Sequence, residues 1–119
     1  MTQMESIIEE NFFHQFQKFC IDELHLKAQL KIETRVGQLR PDFVLSMDES
    51  LITFECDGDE FHERSRDDVR DAILLGDGHI HTIYHLGGPL LTFAPVLAIK
   101  YISKWEPELF SIRSKQILD

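Results

Sequence analysis

Two short segments and the turn between them constrain this chain most: Asp42-Phe43-Val44-Leu45-Ser46, then Met47-Asp48-Glu49-Ser50, then Leu51-Ile52-Thr53-Phe54-Glu55-Cys56. Apolar residues at strand spacing on either side of a largely polar turn predict a β-hairpin. With the turn centred between Asp48 and Glu49, Asp42 falls directly opposite Glu55. Side chains alternate along a strand, so Glu55 and Asp57 share a face and three carboxylates point the same way. Two carboxylates roughly 5 Å apart repel by about 3 kcal/mol at an effective dielectric of about 20. A favourable cross-strand pair returns only about 0.2–1 kcal/mol. Stability alone does not select such a patch. A divalent cation relieves the conflict, and hard carboxylate oxygens suit Mg²⁺ or Mn²⁺.

At 119 residues the expectation is one domain over residues 1–119. An apolar content of 43% with nine Phe is ordinary for a packed globule, and no run of about 18 apolar residues is present to cross a membrane. The start Met1-Thr2-Gln3-Met4-Glu5 lacks the basic region and apolar core of a secretory signal, which makes the cytoplasm the expected location. Two cysteines, Cys20 and Cys56, are too few for a disulfide framework and are read as inert core thiols. Acidic residues outnumber basic ones 21 to 12, for a net charge of −9, which counts against tight non-specific binding to nucleic acid. Lys31, Arg35, Arg40, Arg64, Arg66 and Arg70 nevertheless cluster near the acidic motif, as a positive rim would.

Ile8, Phe12, Phe16 and Phe19 recur at spacings of three and four and predict an amphipathic helix from Glu5 to Cys20. Leu30 to Val36 alternates weakly as a strand, with a bend at Gly37. Ser65-Arg66-Asp67-Asp68 has capping-box spacing and opens a second helix from about Arg66 to Leu75. His79 to Leu86 reads as a strand that Gly87-Gly88-Pro89 breaks, Pro95 to Trp105 as a third helix, and Leu109 to Leu118 as a short terminal one. The order describes an α/β sandwich with a mixed sheet. His79, His81 and His85 fall on one face of a straight strand, too far apart for a shared zinc ion, and are read as polar sheet surface.

Arg40-Pro41-Asp42-Phe43-Val44 followed by Glu55-Cys56-Asp57-Gly58-Asp59-Glu60-Phe61-His62 resembles the PD-(D/E)xK nuclease superfamily, and within it the branch related to very short patch repair endonucleases. Asp67-Asp68-Val69-Arg70-Asp71, an apolar helix, a Gly and a strand then follow in the order such domains use. The resemblance covers roughly Ser6 to Tyr84 and implies a restriction-endonuclease-like sandwich with a mixed central sheet flanked by helices. It implies that Asp42 and Glu55 hold metal, and that Asp57 stands where the superfamily has Lys and the patch-repair enzymes His. An Asp there can only bind metal or accept protons. His62 matches a His near the reacting phosphate, whose ordinary pKa of about 6.5 suits proton transfer. Glu9 resembles an acidic residue that reaches the metal or its waters, although it also lies at capping-box spacing from Ser6. Arg40, Arg70 and Asp71 correspond to residues that brace the site or touch phosphate. Ile83, or Thr82 one register away, stands where related domains often carry an Arg.

The resulting expectation is a Mg²⁺- or Mn²⁺-dependent DNA endonuclease, with Asp42, Glu55 and Asp57 as ligands and His62 and Glu9 assisting. Its small size suits a homodimer or a separate targeting subunit. The alternative is a non-catalytic interaction protein on a nuclease-like scaffold, bound to a DNA-processing partner; the net charge and the departures at Asp57 and Ile83 support it.

Overall fold

The aromatic repeat at the start of the chain forms α1, Ile7–Phe19, whose Phe12, Phe16 and Phe19 are buried. A computed structural model describes residues 7–34, 37–47, 50–57, 71–76 and 80–119. Within them β1 is Leu26–Ala28, β2 Ile32–Thr34, β3 Gly37–Leu39, β4 Phe43–Met47 and β5 Ser50–Asp57. A helical segment at 71–76, α2, precedes β6, Ile80–Gly87. Helices α3, Gly88–Phe93, and α4, Pro95–Trp105, follow, then a 3₁₀ turn at Pro107–Leu109 and α5, Ile112–Leu118.

One mixed sheet has the order β1-β4-β5-β6. Antiparallel β4 and β5 pair Phe43 with Phe54 and Met47 with Ser50, the register expected from the turn. β6 runs parallel to β5, which requires a crossover, and α2 lies in that crossover. The structure is thus an α/β domain with a mixed sheet. No described helix is long and apolar enough to cross a membrane.

The two faces of the sheet differ because alternation separates them. Phe43, Leu45, Ile52 and Phe54 join Phe12, Phe16, Leu91, Ile99 and Ile102 in the main core. Phe12 sits at the centre, its ring 5.7 Å from Phe16, 5.4 Å from Phe43 and 5.3 Å from Phe54 in tilted contacts that aromatic pairs favour. The opposite face takes Val44, Thr53 and Glu55, all buried. Cys20 belongs to the core, and burial first, then the charge of Asp22, pushes its thiol upward, as befits an unreactive cysteine.

The structure refines three expectations. The strand expected over Leu30 to Val36 is present over Ile32–Thr34, while β1 at Leu26–Ala28 was not expected. Gln29 adopts a left-handed φ of 56°, which separates β1 from β2, and β2 then pairs with β3 in its own two-stranded ribbon entered through Gly37 at φ 120°. Gly87-Gly88-Pro89 ends the strand as expected, and a short helix, α3, begins there. Pro89 lies in the first turn of α3, where a missing N–H costs nothing. The terminal helix over Leu109 to Leu118 is divided into the 3₁₀ turn and α5, which Ser111 caps by accepting from the Ser114 N–H. The helix over Pro95 to Trp105 has the expected bounds.

At the C-terminus of α4 the Tyr84 hydroxyl donates to Glu106 Oε1 at 2.8 Å. Burial first, then the adjacent Glu108, raises the Glu106 carboxyl above its ordinary 4.5, and the Tyr84 bond opposes them only in part. A carboxyl raised by folding stabilises fully below 4.5, and that contribution is lost as pH rises through its folded value. Glu106→Gln, which cannot ionise, is expected to melt a few degrees above wild type at pH 7, with the gap closing below pH 4.5; thermal melts across that range check this.

Candidate functional site

Asp42 occupies the bend that leads into β4, one residue before the Phe43–Phe54 pair. Its backbone N–H donates to Glu55 Oε2 at 3.3 Å, and its own carboxylate oxygen Oδ2 accepts from the Cys56 N–H at 2.8 Å. Each acid is thus gripped by the backbone of the strand opposite. Glu55 is 5% exposed, while Asp42 is half-buried. Charge-assisted bonds of this kind are short and strong, and they fix where both carboxylates lie.

Glu9 reaches the same end of the sheet from α1. It is 5% exposed, and its Oε1 accepts from Gln29 Nε2 at 3.0 Å. Gln29 in turn donates its backbone N–H to the Asp42 carbonyl at 3.0 Å. The left-handed turn at Gln29 is what points its backbone at Asp42 and its side chain at Glu9. Glu9, Gln29, Asp42 and Glu55 therefore form one hydrogen-bonded chain across a helix, a turn and two strands. Ser6, the capping partner expected for Glu9, lies outside the described residues.

Asp57 ends β5 two residues after Glu55, and its side chain lies outside what is described. His62 and Arg70 also lie outside the described residues. Arg40 is exposed just before Pro41 at the mouth of the hairpin. Among the described residues no three His, Cys, Asp or Glu side chains gather closely enough to hold an ion, a set that omits Asp57. The donors that are present, carboxylate oxygens from Asp42 and Glu55, are chemically suited to Mg²⁺ or Mn²⁺.

The parallel ladder sets a further residue beside Glu55. Glu55 pairs in register with His85 on β6, and His85 Nε2 lies 2.5 Å from Asp71 Oδ2 on α2. Asp71, expected to brace the site beside Arg70, contacts His85. A bulge in the ladder separates His81 from His85: Leu51 pairs with Ile80 but Ile52 with Thr82, which leaves His81 unmatched and breaks the alternation that would align the two. His79 lies outside the described residues. Ile83 is half-buried opposite Thr53, with no basic side chain at that position of the strand.

Compared with known proteins, the chain matches no family model, and no curated protein is significantly similar to it.

The paired backbone bonds give a stability test. Asp42→Asn keeps an oxygen for the Cys56 N–H and removes one of two neighbouring charges, so in metal-free buffer its stability is expected to equal or exceed that of wild type. Asp42→Ala strands that N–H and should fall about 1–3 kcal/mol below the Asn variant. Urea denaturation in chelator resolves the two.

Proposed function

We propose that this chain is a metal-dependent DNA endonuclease of the PD-(D/E)xK kind on a restriction-endonuclease-like sandwich. One observation carries the reading: Asp42 and Glu55 are held side by side by reciprocal backbone hydrogen bonds. The order of a helix, an antiparallel hairpin, a further helix and a strand parallel to the second arm supports the fold.

In this reading Asp42, Glu55 and Asp57 hold Mg²⁺ or Mn²⁺, which when bound supplies charge neutralisation and an activated water at a phosphodiester. The chain's own residues do the rest. The Asp42 and Cys56 backbone N–H groups keep the acidic side chains aimed, and Gln29 orients Glu9, which assists. His62 transfers protons, and Arg40 and Arg70 meet the phosphates. DNA is the substrate, the cytoplasm the compartment, and a homodimer or targeting subunit would let so small a chain address both strands.

A second reading has its own observation. The backbone N–H groups that grip Asp42 and Glu55 lower the cost of their proximity without any cation, as a non-catalytic scaffold for a DNA-processing partner would need.

Plasmid nicking separates the readings. Wild type is expected to nick supercoiled DNA with Mg²⁺ or Mn²⁺ and to lose the activity in chelator. Glu55→Gln should lower the rate by at least a hundredfold. Equal rates in wild type and variant remove Glu55 from the mechanism, and a wild type inert with both metals favours the scaffold.

A further inference from the structure

We propose that the outer face of α4 is the interface through which two copies of this chain associate about a twofold axis, an inference independent of the chemistry on the acidic face. α4 is apolar on both sides. Ala98, Ile99 and Ile102 are buried in the core, while Leu97, Tyr101 and Trp105, spaced by four residues, form a stripe on the solvent side. A helix at a domain surface ordinarily carries polar residues there, and one that is apolar all round is a buried helix. Phe93, at the end of α3 and four residues ahead of Leu97, is the most exposed large apolar side chain described, at 86%. Seven of the ten exposed large apolar side chains among the described residues lie between Phe93 and Ile117, so the exposure is concentrated on these C-terminal helices rather than scattered.

The rings on this face are held in place. Tyr101 stacks on Trp105 with centroids 6.0 Å apart and planes at 18°, and Trp105 stacks on Tyr84 of β6 at 5.4 Å and 7°. Aromatic side chains already fixed by their neighbours lose little freedom when a partner covers them. With Trp105 at 53% exposure, Tyr101 at 43% and Leu97 at 38%, these three and Phe93 leave roughly 450 Å² open, within the range of the largest apolar patch on a typical monomer. A stable dimer takes about 800 Å² from each copy, a little more than half of it apolar. The patch supplies that share.

Charge and symmetry select a second copy as the occupant. Residues 88–119 carry four basic and three acidic side chains, whereas residues 1–87 carry eight and eighteen. A chain of net charge −9 repels its own kind through the acidic part, and this face is where two copies approach with least repulsion. Lys104, which flanks the stripe, is already paired with Asp119 at 3.2 Å, leaving less positive charge for a nucleic acid or an acidic peptide. Leu97 and Trp105 stand four residues to either side of Tyr101. Two α4 helices crossing antiparallel about Tyr101 therefore set Leu97 of each copy against Trp105 of the other, the self-complementary arrangement that an isologous interface requires. Trp105 stacks on Tyr84 and Tyr84 on Phe54, so the stripe lies on the Phe54 side of the sheet and the Glu55 side stays uncovered in both copies.

Sedimentation velocity of the full chain over a micromolar concentration series is expected to show a particle of twice the 13.9 kDa chain mass that dissociates on dilution. Trp105 is the single tryptophan, so its emission reports this face directly and should shift to longer wavelength as the dimer dissociates. Tyr101→Lys is expected to raise the dissociation constant by at least about thirtyfold, as loss of a central aromatic contact does. Leu97→Lys, on the same stripe, carries the same expectation should the Tyr101 variant fail to fold. A chain that stays monomeric throughout overturns the proposal, and quenching of Trp105 in that monomer by a thymidine oligonucleotide would assign the face to single strands instead. A dimer whose Trp105 emission is unchanged on dissociation, or that both variants leave intact, overturns it as well by placing the interface elsewhere.

Discussion

The pairing of Phe43 with Phe54 is the constraint on which the rest of the structure depends. That one register sends Phe43, Leu45, Ile52 and Phe54 into the aromatic core beneath α1, and it sends Asp42 and Glu55 to the other side. A slip by one residue would exchange the two sets, burying carboxylates among phenylalanines and exposing the core to water. The cost of that exchange, with each large apolar side chain contributing roughly 1.5–3 kcal/mol by burial, is far greater than the repulsion between two acids. The core therefore enforces the acidic patch: hydrophobic burial on one face holds like charges together on the other.

How the chain tolerates those charges is equally physical. Asp42 and Glu55 each accept a backbone N–H across the hairpin, so part of their desolvation is repaid by donors that the strand ends leave available. Gln29 extends the same logic, tying buried Glu9 to the Asp42 backbone through a single left-handed residue. These bonds fix the orientation of the acids. Preorganised charge of this kind is what a site needs in order to act without rearranging at the moment of reaction.

A second polar device lies on the far side of the sheet. Tyr84 stacks between Phe54 and Trp105 and hands its hydroxyl to Glu106, so the aromatic core continues outward to a carboxyl at the C-terminus of α4. The same strand, β6, thus carries Tyr84 to the core and His85 to the acidic face. Adjacent residues serve opposite layers because the pleat alternates.

The sequence determined what local chemistry can determine. The spacing of Phe12, Phe16 and Phe19 specified α1, Pro95 and the apolar periodicity specified α4, and the short turn specified the hairpin register that brings Asp42 to Glu55. These are contacts between near neighbours, or across a turn whose length fixes the pairing. Other features only the tertiary structure decided. The left-handed Gln29 that divides β1 from β2, the bulge at His81 and the pairing of Glu55 with His85 depend on how distant segments meet. A parallel pair has no connecting turn to set its register, so the meeting of His85 with Glu55 and Asp71 is chosen by packing across the crossover, and no local pattern encodes it.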